Sequence, residues 1–452
     1  MSRFRQIGAV GLVIGLLLGA GENAYGDPPS EAPDRKLTPE QQEKLKTRDQ
    51  LGKTANQADS EGKLAEARTA VEKKLAIERD VFGHPHINTV NSLAWLTDLC
   101  LRDEDYPSAR DYGRQTLVAC THIHGDSHWK TTDSRLAIAE VELHAKLTKD
   151  QRADLKEATR LRSEGQRMLA QGEQQKCQQH AEKALVLLRA VLGEEDTSYA
   201  ICLNEVGYAC TLQGNFEKAE PLNEQALKIQ KKVLGENHPN YAASLFFMGF
   251  VYQQQGQLAK CEPFYKEALE TQKAAHGEKH RNYAASLHNL AHLYVQQGRF
   301  SKAEPLYTEA LAIHRVLLGR KHPVCLTGLH NLAILYRSQD LYAKAEPLFL
   351  EAIALRKEVL GAKHPEYADD EEETTIVAPG TSQPTARSDS NGIAPCVGAG
   401  VGTGANGFCG TNSVRPTSMA SSSVKQLAIT KSLTVLLVTC AMPNNVSPSC
   451  TV

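Results

Sequence analysis

The chain has 452 residues, with 51 Lys+Arg against 53 Asp+Glu for a formal charge of −2, and 41 % of it is hydrophobic. That length suits two or three domains or one extended repeat array. The near-neutral balance lacks the clustered basic face that a nucleic-acid binder needs, so no nucleic-acid partner is expected.

In chain order, the first 26 residues read as an export signal. Arg3 and Arg5 form a positive start, Ile7 to Ala20 an apolar run, and Ala24-Tyr25-Gly26 a small-residue cleavage site. The run is short and glycine-rich for a transmembrane helix, and an uncleaved N-terminal anchor is the alternative. An exported protein, periplasmic or extracellular, is expected, with membrane contact only through such an anchor. Residues 27–39, with four prolines and many charges, form a linker.

Residues 40–195 carry worn helical repeats. Lys63 to Gly83 reads as a second helix of a pair, and Asn88 to Gly125 as a degenerate two-helix unit. Gly83 to Gly125 and His86 to His128 both keep a forty-two-residue spacing. Thr131 to Leu147 looks like a first helix and Asp154 to Gly193 like a further pair. The interval from Gly125 to Gly193 exceeds one period, which implies an inserted helix.

Residues 196–363 repeat the period openly. Gly193, Gly235, Gly277, Gly319 and Gly361 keep it, as do Pro221, Pro263, Pro305 and Pro347, and His238, His280, His322 and His364. A fixed period of this size marks a solenoid whose units bury their apolar faces against their neighbours. In the unit from His280, Leu287, Leu290, Ala291 and Tyr294 make one helical stripe, closed by Gly298. Ala303, Leu306, Tyr307, Ala310, Leu311 and His314 make a second, and Pro305 is tolerable if that helix begins near Ser301. The recurrent histidine then reads as a helix-start residue. Small residues at Gly207, Gly249, Ala291 and Ala333, at Ala219, Cys261, Ala303 and Ala345, and at Ala226, Ala268, Ala310 and Ala352 mark close helix crossings. Seven of the eleven cysteines lie in helical sequence, which argues against a disulfide scaffold.

The pattern Leu290-Ala291, Tyr294, Gly298, Phe300, Ala303, Tyr307 and Ala310 resembles the tetratricopeptide repeat, in the long variety typified by kinesin light chain. The resemblance implies an all-α fold, a right-handed α-solenoid of antiparallel helix pairs. It also implies a concave face lined by the first helices that binds a protein or peptide partner. Carried onto this chain, the ligand-facing positions are Asn204, Glu205 and Tyr208, then Phe246, Phe247 and Phe250, then His288, Asn289 and His292, then His330 and Asn331. Asn289 and Asn331 match the asparagine that grips peptide backbone in the family; Glu205 and Phe247 depart from it. The aromatic run of "LFFMGFVY" is expected to turn two of its three phenylalanines to the groove.

His364 opens a fifth unit, after which residues 364–452 lose helical periodicity. Two readings stay open for this segment: a disordered tail, or a frameshift after about Ala368. Leu433 to Met442 is apolar but too short to span a bilayer. No HExxH, G-x-S-x-G or P-loop lysine occurs, and Gly398 to Gly407 is glycine-rich without the strand, helix and lysine of a nucleotide loop. His122, His124 and His128, and His288, His292 and His330, have ligand-like spacing but read better as a helix end and a polar wall. Neither metal nor cofactor is expected. A non-catalytic scaffold follows, with two alternatives: the recognition half of a truncated repeat protein carrying a caspase-like CHAT domain, or a self-assembling envelope protein.

Overall fold

The computed structural model describes residues 37–360; the expected export signal, nearly all of the linker and the C-terminal segment fall outside the described residues. Fifteen helices form within them, and no strand. The first five are α1 (Pro39–Ser60), α2 (Leu64–Phe82), α3 (Ile87–Arg102), α4 (Tyr106–His124) and α5 (Trp129–His144). Then come α6 (Lys149–Ala170), α7 (Gln174–Leu192), α8 (Thr197–Leu212), α9 (Phe216–Leu234) and α10 (Pro239–Gln254). The last are α11 (Leu258–His276), α12 (Arg281–Gln296), α13 (Phe300–Leu318), α14 (Pro323–Arg337) and α15 (Tyr342–Leu360). Each even helix from α8 pairs with the next, and the pairs stack in sequence.

The recurrent histidine is a helix cap. His86, His128, His238, His280 and His322 stand just before a first helix, and each ring Nδ1 accepts a backbone N–H two residues on, at 3.1–3.3 Å. Asp196 does the same work before α8, accepting from Ser198 N at 2.7 Å. Each cap satisfies one of the donors that a helix start leaves unpaired. The turn inside most pairs is closed by a glycine at positive φ, a place that Glu104 takes between α3 and α4 and Asp340 between α14 and α15. Gly298, at φ 72°, lets Arg299 N–H reach Tyr294 O at 2.8 Å while its own N–H reaches Val295 O at 3.0 Å, a full Schellman pair.

The repeated proline departs from expectation. α13 begins at Phe300, so Pro305 lies beyond the first-turn donors and the helix forgoes one internal hydrogen bond. Pro221, Pro263 and Pro347 hold the same place in α9, α11 and α15. The omission is tolerable because Pro305 and Ser301 both face solvent, where the freed Ser301 carbonyl can meet water.

The small residues sit where helices cross. Ala219, Cys261, Ala303 and Ala345 are all fully buried, and Ala226, Ala268, Ala310 and Ala352 nearly so. The seven cysteines within the described residues are free and buried. The interval from Gly125 to Gly193 holds three helices. The extra one, α5, packs on α3 and α4 and turns away from α6, so the array divides into a stack α1–α5 and a stack α6–α15.

A methyl group at Gly249 would stand 2.6 Å from the Tyr265 ring, which is 2 % exposed and tethered through its hydroxyl to Gln253 Oε1 at 2.8 Å. Alanine normally favours a helix over glycine by about 1 kcal/mol. Here the clash reverses the sign: Gly249→Ala should lower unfolding free energy by about 1–3 kcal/mol in urea titrations. Gly207→Ala meets only the Asn223 amide, the end of a short side chain with no other hydrogen bond, and should cost less.

Candidate binding cavity

The residues expected to line a groove are almost all interior. Phe246, Phe247 and Phe250 are 5 %, 1 % and 1 % exposed, so none of the three faces an open groove. Phe246 stacks on Tyr265 at 5.5 Å, and Tyr208 packs against Phe247 at 5.6 Å and Phe250 at 5.3 Å. The space beside Gly249 is taken by the Tyr265 ring on which Phe246 stacks, and that beside Gly207 by the Asn223 amide. Glu205, also buried, takes a two-pronged ion pair from Arg162 of α6 at 2.8 and 2.9 Å and a hydrogen bond from Gln166 at 2.9 Å. It joins α6 to α8 and is closed to a ligand.

The polar members pair across units. Asn204 donates to Ser244 Oγ at 2.7 Å, and Asn331 donates to His288 Nε2 at 2.9 Å. His292 Nδ1 accepts from Gln253 at 3.1 Å. His330 is 2 % exposed and meets Phe349 edge-on at 5.6 Å. Burial holds His288 down to about 3, and His292 and His314 to about 4, because a charged ring would lose its hydration without a carboxylate to replace it. Only Asn289 and His292 of the expected set keep partial exposure. Among the described residues no three His, Cys, Asp or Glu side chains are arranged to hold a metal. His128 caps α5 and His124 stacks on it at 4.5 Å, which accounts for two of the three histidines in "THIHGDSH".

Open space lies elsewhere on the first helices. A cavity of about 480 Å³ separates the two stacks, walled by α3, α4 and α5 on one side and by α10, α11 and the start of α12 on the other. Its wall uses positions nearer the caps, such as Asp133 on α5 and Ala243 on α10, both five residues past the cap histidine. Asn91 and Asp98 on α3 continue it, as do Ala137 and Glu140 on α5. Helix α5 can present so much of itself because it buries only Thr131, Ser134 and Val141.

A latch closes one end. The Trp129 indole N–H donates to the Ala275 carbonyl at 2.8 Å, and the ring meets His276 and His238 edge-on at 5.0 and 5.9 Å. His238 Nδ1 accepts its cap N–H, which places the proton on Nε2, and Nε2–H donates to Asp133 at 2.9 Å. The wall is rich in acceptors. Crowding by the cavity wall pushes Asp98 and Glu140 up, Glu140 further through Asp196 and Asp98, while Arg102 opposes the shift at Asp98; with side chains 47 % and 59 % exposed, both keep access to water that limits the effect.

Residues 168–232, 204–257 and 241–315 match one tetratricopeptide repeat family model, and residues 325–366 match a second. No curated protein matches the chain. Among solved structures, a putative kinesin light chain with nearly identical repeats from Podosopora anserina is 23 % identical over 47 % of this chain and 99 % of its own, with a TM-score of 0.40. BtubC from P. vanneervenii is 19 % identical over 72 % and 99 %, with a TM-score of 0.35. A Rap protein in complex with competence and sporulation factor is 13 % identical over 75 % and 98 %, with a TM-score of 0.31.

The buried imidazoles make stability depend on pH. Above the ordinary histidine value of about 6.5, His288, His292 and His314 are neutral in both states and stability is complete. As pH falls toward 4 the unfolded chain takes up protons that the folded chain refuses, so stability drops by up to about three protons' worth of linkage. Denaturant midpoints measured from pH 7 to pH 4 should fall, and His314→Gln should flatten the slope.

Proposed function

Since this is a tetratricopeptide-repeat protein, with its repeats laid out as stacked helix pairs, we propose that it is a non-catalytic scaffold holding a short extended segment of a partner protein in the cavity between its two stacks. The observation that carries the proposal is that cavity, about 480 Å³ and bounded by first helices from both stacks. The volume suits a few side chains with their backbone rather than a folded domain. The wall supplies both halves of peptide recognition: apolar surface at Ala94, Ala137 and Ala243, and acceptors for main-chain and side-chain N–H groups at Asn91, Asp133 and Glu140.

Ala243 is half-buried and lines the cavity, so a large ring there fills space without removing a packed side chain. Full-length Ala243→Trp should lose a partner that the unaltered chain recovers from its native host, with helical content unchanged. Equal recovery by both proteins would rule out the cavity as the binding site.

We also propose that this scaffold works outside the cytoplasm. The reading rests on the charged start, apolar run and Ala24-Tyr25-Gly26 of the first 26 residues. Buried thiols suit an oxidising compartment: burial raises Cys177 to about 12, and Cys202 and Cys261 higher, which leaves little thiolate to react. The intact mass of the protein from its host should begin at Asp27; a mass that includes Met1 would refute cleavage.

A further inference from the structure

The latch at the end of the cavity is built from groups that change charge near neutrality. Two face-stacked imidazole pairs bracket Trp129: His124 on His128 at 4.5 Å, and His276 on His280 at 4.0 Å. Three histidines of the latch are also caps. His128, His238 and His280 accept a first-turn N–H of α5, α10 and α12 through Nδ1, so three of the five histidine caps meet at one place in the array. Such a cap works only while Nδ1 carries no proton, because an imidazolium has no acceptor left and sets positive charge on the positive end of a helix. Burial, then Lys130, hold His128 toward the neutral form. His238 differs, since a charged ring there would lose its cap but keep Asp133 as a partner. The other charges beside the latch are paired already: Asp126 with Arg135 at 2.8 Å, Glu278 with Lys273 at 2.7 Å and Glu236 with Lys231 at 2.5 Å, while Lys279 and Arg281 flank His280 in solvent.

Helix α5 is placed to act as a lever. Its 16 residues span about 24 Å, with Trp129 at the first and the joint to α6 just past the last. The joint end is held independently: Glu104 takes Arg152 at 3.6 Å and Lys156 at 3.4 Å, and Leu143 packs into the core of the second stack. We propose that the latch is an acid-sensitive gate, closed at neutral pH and opened when His128 and His280 take up protons, so that the α1–α5 stack swings from α10–α12 about residues 145–148 and the cavity widens at that end. Trp129 follows His128 directly, so a frayed first turn of α5 carries the indole off Ala275. Loss of the α12 cap loosens the His280 ring on which His276, the edge-on partner of Trp129, is stacked. Linkage fixes the direction: a ring kept neutral by the closed latch binds its proton more readily once hydrated, so falling pH favours the open state. The gate belongs to the cavity whatever occupies it, and its failure would leave the peptide-binding reading untouched.

The test uses the full chain and no partner. There are two tryptophans, so Trp95→Phe leaves Trp129 as the indole reporter. Between pH 7.5 and pH 5.5 its emission should shift to the red and its acrylamide quenching constant should rise about twofold, as local opening exposes the ring while far-UV circular dichroism stays unchanged. On the unaltered chain, small-angle X-ray scattering should show the largest dimension growing over the same range, a readout that does not depend on Trp95→Phe folding. His128→Asn combined with His280→Asn keeps a cap acceptor, as Asp196 does before α8, but takes no proton, and both readouts should then be flat. His322→Asn, the same change at the α14 cap, should leave the response intact. A flat response in the chain that keeps its histidines would overturn the gate, as would a red shift that arrives only with loss of helix. A response that survives the paired substitution, or that His322→Asn abolishes equally, would overturn it too, by placing the effect outside the latch.

Discussion

The first helix of each regular repeat is buried around nearly its whole circumference, and the rest of the molecule follows from that constraint. In α8 the burial runs unbroken from Cys202 to Leu212, and α14 is buried from Cys325 to Leu335. Such a helix touches its own partner on one side and the neighbouring pairs on the others, so each polar side chain it carries must find a protein partner. That is why Asn204 meets Ser244, His288 meets Asn331 and Glu205 meets Arg162. These contacts tie one unit to the next, and a slip of the stack by one residue would orphan them together. Hydrogen bonding here sets register, while apolar burial through the core cluster from Leu169 to Phe349 supplies the stabilisation.

Helix α5 escapes the constraint, and the binding space exists because it does. Inserted between two stacks, it has neighbours in α3 and α4 but little of α6, so its other flank is left to face across the array. There Trp129 reaches Ala275, 146 residues away, and Asp133 reaches His238. These two contacts span the gap at one end while small side chains such as Ala137 and Ala243 keep it open behind them. A helix buried on every side could not have offered Asp133, Ala137 and Glu140 on one face.

The fold was largely legible because periodicity encodes nearest-neighbour structure. The glycine that ends a pair, the histidine that caps five of the first helices and the small residues at the crossings all act within one unit or between adjacent ones, and they recur at the forty-two-residue period. Even the inserted helix left a trace in the widened interval from Gly125 to Gly193. The cavity left none, because Trp129 and Ala275 occupy unrelated repeat positions and no period links them. The groove positions misled for a related reason. Asn and His on a first helix suggest a surface, yet at Asn204, His288 and Asn331 the polarity answers a neighbouring helix. The available signal was the poverty of α5 itself: a first helix with Lys130, Asp133, Ala137 and Glu140 along one stripe cannot be buried as its relatives are.

Polarity thus does opposite things in the two halves of the array. Inside the stack, polar side chains tie one unit to the next, as when Tyr265 donates to Gln253 and Gln253 to Gln296. Beside α5 the carboxylates of Asp98, Asp133 and Glu140 line the cavity together with one lysine, Lys130. A surplus of carboxylates along one wall disfavours acidic segments, since like charges repel. That bias follows from one helix that the solenoid could not enclose.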